Sequence, residues 1–414
     1  MASSKKHRRA RLFLEPLENR LVPATFVVTR SDDDNGEPAG TSNLSLRQAI
    51  FLANQDEDPV STININVNTC RLTIANGAGG QDNQNLYGDL DLTKTGHTYI
   101  IQQLNPSNPV TIQQTQKDRV FQLAPDVKVQ FNNVQITGGQ AVDDGTQGAQ
   151  PGKTNALGGG ILGRGPKTEY GTTVILQGSQ VSGNQALAAS GLSGQGGGIH
   201  LDVGNSKESW LGVRLSNARV ENNSITVEKG ANGNFGGQAA GGGVSLGEGQ
   251  IVVEGDSYIS NNSVSAGDGG DPVATGSIQG AAGGSALGGG LFVDQGSITV
   301  IGNLFVENNT AKGGTGSNGI TGASDTVGAG GQGGASRGGG VFLGSGDLQA
   351  SNATGTGTSY TITIANNKAQ AGSGGLAANS KGTGLAGSAG GDAQGGGIYL
   401  GQARMLFSSG KSYI

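Results

Sequence analysis

Short runs of alternating apolar and polar residues recur along this chain, separated by stretches of glycine, alanine and serine. Thr25 to Thr29 alternates like a first strand. Leu46, Ala49, Ile50 and Ala53 instead fall at helical spacing within residues 45–54, which predicts one short amphipathic helix. Residues 88–93, 98–101, 119–123 and 127–131 return to short alternating strands, and residues 131–139 lead into a repeat. Cys70 falls among Ile63, Ile65, Val67, Leu72 and Ile74, so it reads as a small buried apolar residue.

From residue 158 one pattern recurs. Each copy opens with three glycines and an aliphatic residue, beginning at Gly158, Gly196, Gly241, Gly288, Gly338 and Gly395. Each complete copy then reaches an aliphatic residue two or three positions before asparagine, at Asn184, Asn222, Asn261, Asn308 and Asn366. The distance from triplet to asparagine is 26, 26, 20, 20 and 28 residues, read as one turn of a solenoid. Triplet follows triplet after 38, 45, 47, 50 and 57 residues. The variable part lies mainly after each asparagine, so the insertions are expected as Gly-rich loops on one side.

Each residue type has a physical task in such a stack. Aliphatic residues, such as Val252 or Ile298 with Val300, are expected to point inward and stack at the ~4.8 Å strand spacing. The triplets supply tight backbone and positive φ. Asparagine tolerates the left-handed conformation and can form a ladder of side-chain amides at a corner. The fold class expected is all-β: a right-handed parallel β-helix with a short N-terminal capping helix and Gly-rich side loops. The chain divides into a basic leader (1–24), a capping module with the first coils (25–139) and the repeats (140–414). The last copy lacks its asparagine landmark, so the C-terminus reads as incomplete, with a final coil whose edge could self-associate.

Composition narrows the picture. Glycine makes up 79 of 414 residues, aromatics 4% and charged residues 14%, which rules out one large aromatic core. Net charge is −5, yet Lys5, Lys6, Arg8, Arg9, Arg11 and Arg20 outweigh Glu15 and Glu18 within the first twenty residues. The acidic body therefore argues against nucleic acid as a partner. Cys70 stands alone, so no intrachain disulfide can form. No apolar run approaches the ~18 residues of a transmembrane helix, and the apolar stretch after the basic head is too short for an ordinary signal peptide.

Three resemblances rest on quoted residues. Residues 14–24, Leu-Glu-Pro-Leu-Glu-Asn-Arg-Leu-Val-Pro-Ala, resemble the Leu-Glu-Pro-Arg-type element that opens large planctomycete surface proteins. Ser45-Leu46-Arg47-Gln48-Ala49, together with the strand before it, resembles the Cys-Ser-Leu-Arg-Glu-Ala module of bacterial surface β-helices. It departs from that motif in having Leu44 before Ser45 and Gln48 in place of Glu. The Gly-Gly-x-Ile and aliphatic-x-x-Asn pairing over residues 131–400 resembles the repeats of chlamydial polymorphic outer membrane proteins. These resemblances imply an extracellular or cell-surface bacterial protein of adhesin-like or structural type, with glycans or matrix components as partners.

Two kinds of site compete with that reading. Parallel β-helices include polysaccharide lyases and glycosidases, whose sites gather carboxylates with basic residues. Here Asp202 beside His200, with Glu221 across the coil, is the acid–base candidate. Asp268 and Asp271, and Asp143 with Asp144, offer oxygen ligands for calcium in Gly-rich segments. The Asn-x-Ser/Thr triplets at Asn222, Asn261 and Asn308 follow from the repeat itself, and no triplet ends in a phosphate-loop lysine. The reading is thus a non-catalytic surface protein, with a polysaccharide-active enzyme and a ligand-free wall component as alternatives.

Overall fold

The computed structural model describes residues 23–105, 108–165, 171–202, 211–274, 278–322, 326–350, 360–378, 387–407 and 411–413. The basic leader up to residue 22, His7 included, lies outside the described residues. The architecture is nearly all β, with one helix and four parallel sheets that follow one another around a solenoid-like stack. Every pair of named strands among the described residues is parallel.

The helix forms where its apolar spacing predicts, at Leu46–Gln55. Ser45 caps it: its hydroxyl accepts from the Gln48 N–H at 3.2 Å, and Gln48 Oε1 accepts from the Ser45 N–H at 3.2 Å. Gln48 therefore completes the capping box that a glutamate would complete. Leu46, Ala49, Ile50 and Ala53 are buried, and the helix packs on strands Ala24–Val28, Val60–Ile65 and Leu90–Leu92, the first of the stack. Arg47 is buried against Asp33 at 2.7 Å and donates to the carbonyls of Gly88 and Asp89.

One coil of the repeat runs in a fixed order. After the Gly triplet come strands Ile161–Arg164 and Thr173–Gln177 of the first sheet, then Gln180–Ser182 of the second. The asparagine corner follows, then Gln185–Ala188 of the third sheet, a Gly-rich segment, and Gly194–Gln195 of the fourth. In later coils the first two strands merge into one, as in Val244–Glu254 and Leu291–Val300. Ile161 pairs with Ile199, Ile199 with Val244, and that column continues through Leu291, Val341 and Ile398. One coil is therefore the whole triplet-to-triplet repeat, not the shorter triplet-to-asparagine distance. The asparagine marks a corner within the turn, and the chain must still cross the third and fourth sheets before it closes.

The interior is aliphatic. Ile199, Leu201, Val213, Leu215 and Val220 of one coil stack under Val244, Leu246, Ile251, Val253 and Ile259 of the next, all fully buried. Ile298 and Val300 point inward as expected. Val252 does not: strand alternation turns Ile251 and Val253 inward and leaves Val252 half-buried between Arg214 and Thr299. Cys70 is buried in strand Thr69–Leu72, and burial pushes its thiol up to about 12.

The two asparagines of each corner divide the work. The first takes positive φ, at 57° in Asn222, 55° in Asn261, 57° in Asn308 and 54° in Asn366, with Gly183 in that place in the first repeat. The second forms the ladder. Nδ2 of Asn184 donates to Oδ1 of Asn223 at 3.1 Å, and the chain continues through Asn262, Asn309 and Asn367 at 3.1, 3.0 and 2.9 Å. Each residue of the Gly triplet answers a separate constraint. The first, at Gly158, Gly196, Gly241, Gly288, Gly338 and Gly395, has φ between 58° and 71°. The second lies against the backbone of the following coil, and the third against the ladder amide, as Gly198 does against Asn223.

The Gly-rich segments are not loops. They leave the third sheet, return to the fourth, and stack on the same segments of neighbouring coils. A second core of Ala186, Ala188, Ile225, Val227, Ala239, Val264, Ala266, Ala286 and Ala311 fills their base. Beyond it the main chains bond directly, in a rung from Gly267 to Gly237 that continues through Gly284, Gly314, Gly334, Gly372 and Gly391 at 2.8 to 3.0 Å. A second rung lies three residues away, through Ala281, Ser317, Gly331, Gly375 and Ser388. A third joins Ile278, Ile320, Gly328 and Ala378. The three-residue period is that of polyproline II, and these rung glycines have no positive φ. A Cβ on Gly314 would clash with the Gly267 carbonyl, so glycine here is required by the close approach of backbones.

Candidate functional site

The acid–base candidates are not gathered. His200, on strand Ile199–Asp202, is buried, and burial together with the Arg164 charge pulls its pKa down to about 3. Asp202 is exposed on the same strand. Glu221 belongs to a different sheet, where it accepts from Gln180 Nε2 at 2.6 Å and lies 3.8 Å from Arg219. The calcium candidates have protein partners: Asp268 accepts from the Thr315 N–H at 2.6 Å and Asp271 pairs with Lys229 at 2.6 Å. Among the described residues no three His, Cys, Asp or Glu side chains cluster in a way that could hold a metal ion. Nor is any described helix long and apolar enough to cross a membrane.

The charge that is gathered lies in the N-terminal module, largely on residues that the sequence pattern assigns to ordinary short strands. Arg119 is fully buried and sits 2.6 Å from Asp143, 3.4 Å from Asp89 and 3.6 Å from Asp118. It also donates to Gln122 Oε1 at 3.1 Å. Burial alone would lower the Arg119 pKa, but the carboxylates of Asp118, Asp143 and Asp89 outweigh it and raise it. Burial pushes Asp118 up to about 6 and holds Asp89 and Asp91 well above the usual carboxylate range. For Asp89 the neighbouring Asp118 and Asp91 add to the burial. One guanidinium cannot neutralise this many desolvated carboxyls, so burial favours the protonated form of Asp89 and Asp91.

A cleft of about 410 Å³ opens beside this network. Three adjacent parallel strands, Leu90–Leu92, Phe121–Leu123 and Ile161–Arg164, end at it, with Asp91, Gln122 and Leu162 in register. Asp91, Gln122, Leu92, Leu123, Pro125 and Arg164 line it from that side, and Asn83, Gly145, Thr146 and Gln147 from the facing segments. Asp91 Oδ2 accepts from the Asn85 N–H at 2.8 Å. Arg164 donates to Thr146 Oγ1 at 2.8 Å and pairs with Asp144 at 3.4 Å. Asn83 donates to the Gly145 carbonyl, and its own N–H is bonded to Gln147 Oε1. Its buried Oδ1 has no hydrogen-bond partner.

The column that begins at Asp91 and Gln122 runs on outside the aliphatic core through Leu162, His200, Ser245, Phe292, Phe342 and Tyr399. Its character changes along the axis, from acidic and amide groups to aromatic rings stacked at 5.1 and 5.2 Å. His200 Nδ1 and Ser245 Oγ, adjacent in the column, are buried without partners. No protein-family model, curated protein or solved structure matches the chain. Its functional reading therefore rests on this geometry and on the sequence.

Arg119 and Asp118 escaped the sequence reading, which took residues 119–123 as an ordinary strand. A signal was present: adjacent opposite charges, in a chain with only 14% charged residues, directly before an apolar run.

Proposed function

We propose that the chain is a cell-surface or secreted bacterial scaffold of structural or adhesive type, built as a right-handed parallel β-helix, rather than a catalyst. The right-handed sense follows from the strong preference of parallel crossover connections. The carrying observation is the repeat itself. Its asparagines, glycine triplets, alanines and aliphatic residues are consumed in bonding one coil to the next. The candidate acid–base residues His200, Asp202 and Glu221 are left apart, one buried, one exposed and one on another sheet. The leader and the Ser-Leu-Arg module support an extracellular bacterial setting by resemblance.

The test has two parts. Fractionation of the producing cell, with surface shaving, should find the chain outside. A glycan-array screen paired with hydrolase and lyase assays should give retention without turnover. Turnover of a polysaccharide would replace this reading with that of an enzyme. A blank array would favour a wall or matrix component without a specific ligand.

A further inference from the structure

The N-terminal cleft has the makings of a ligand site that the repeats lack. We propose that the cleft lined by Asp91, Asn83, Gln122 and Arg164 binds an uncharged saccharide. This deepens the surface-scaffold reading and rests on it for the origin of the ligand. Four observations carry it. The volume, about 410 Å³, falls in the range of small-molecule clefts, roughly 300–1,000 Å³. The lining is two-faced: Ala124 and Pro125 offer apolar surface, while Thr93, Thr146 and Gln147 offer polar groups beside the more deeply set Asp91, Asn83 and Gln122. A pyranose has the same division, with C–H faces and a rim of hydroxyls.

The third observation is charge. Arg164 is paired with Asp144, so its charge is answered within the protein. Asp91 lies in a burial that favours its protonated form, which leaves a carboxyl able to donate as well as accept. Such a cleft discriminates against a carboxylate ligand. The fourth is an unmet bond. Asn83 lines the cleft and its buried Oδ1 has no partner, so turning that amide towards a ligand hydroxyl breaks no hydrogen bond at the oxygen and makes one there. Planar side chains with two polar atoms each, such as Asp91 and Gln122, suit the adjacent hydroxyls of a sugar ring. The neighbouring Arg119 network fixes Gln122, whose Oε1 accepts from Arg119 and whose Nε2 donates to the Gly145 carbonyl.

The test is a titration of the full chain with free glucose, galactose, mannose, N-acetylglucosamine and their disaccharides, with glucuronic acid as the charged counterpart. Saturation-transfer NMR would detect contact and calorimetry would give affinity. At least one neutral sugar should bind, and glucuronic acid more weakly. Asp91→Ala and Asn83→Ala should each weaken binding roughly tenfold, the loss of about one hydrogen bond to a buried group. Asp91→Asn, which keeps a donor and an acceptor, should bind within a few-fold of the parent. Asp294→Asn, exposed three coils further along the stack, should change nothing. Thermal melting of each variant separates lost binding from lost fold, and Asn83→Ala serves where Asp91→Ala does not fold. No binding by any neutral sugar would overturn the proposal, as would unchanged affinity in both alanine variants or preference for glucuronic acid. A blank titration on a chain found at the cell surface removes the site and leaves the scaffold; binding by a chain found inside the cell does the reverse.

Discussion

The aliphatic coil and the glycine lobe stack the same successive turns by opposite means. In the coil, columns such as Ile199, Val244 and Leu291 fill the interior, and the stabilisation scales with apolar area removed from water. In the lobe the side chains are nearly absent, and the outgoing and returning limbs meet backbone to backbone. The coil tolerates any aliphatic residue of suitable volume, as its mixture of Ile, Val and Leu indicates. The lobe tolerates no added atom at its rung glycines. The same period along the axis is thus enforced by side-chain volume on one side and by main-chain hydrogen bonds on the other.

The largest expected effect lies at the corner where the two meet. Asn262 accepts from the N–H and Nδ2 of Asn223 and donates to Asn309 and Val220. Asn262→Leu should cost about 4 kcal/mol in urea unfolding, because several buried polar groups lose their partners together. A loss below about 1 kcal/mol would show that the ladder is incidental. Next comes a single methyl in the lobe: Gly314→Ala should cost about 3 kcal/mol and raise amide exchange at the neighbouring rungs, including Gly284 and Gly334. If it is silent, the limbs are not in contact in solution.

Between the two regions, pH offers a signed test. The His200 pKa falls from its ordinary 6.5 to about 3 on folding, so its contribution to stability is present above 6.5 and is lost as pH falls towards 3. His200→Leu should therefore gain on the parent as pH is lowered from about 7 to about 4. The Asp118 pKa rises to about 6, so its contribution is complete below the ordinary 3.8 and is lost as pH rises through about 6. Asp118→Asn should gain on the parent in the opposite direction, and melting temperatures across the range would reveal a wrong sign for either. A smaller effect belongs to the coil: Ile298→Val should cost about 1 kcal/mol. Smallest of all, Gly79→Ala, where a Cβ meets nothing within 4 Å, should stay within about 0.5 kcal/mol.

Much of this contrast was legible in the sequence, and its limits have physical causes. The helix at Leu46–Gln55 and the inward Ile298 and Val300 follow from local spacing, which one chain segment carries by itself. Val252 was misplaced because Ile251, Val252 and Val253 are all apolar, so period two has no contrast to read. The length of a coil was underestimated because asparagine marks a corner, and corners look alike whether or not a turn closes there. The glycine segments were taken for loops because glycine usually signals a turn. Their order comes from partners in the next coil, which no local pattern encodes. At the candidate site, Asp143 reads as a calcium ligand and Asp89 and Asp91 as part of a short strand, since nothing in the chain order announces that Arg119 joins them.

The asparagine ladder also gives the stack a direction. Each side-chain oxygen faces the preceding coil, accepting there from both backbone and side chain, and each amide sends one N–H forward. Each turn laid down therefore presents donors to the turn that follows, which must arrive with an acceptor in place. The stack is polar along this axis: a coil offers donors on the face towards its successor and an acceptor on the face towards its predecessor. Amides in series polarise one another, so each bond of the ladder is firmer than an isolated pair would be.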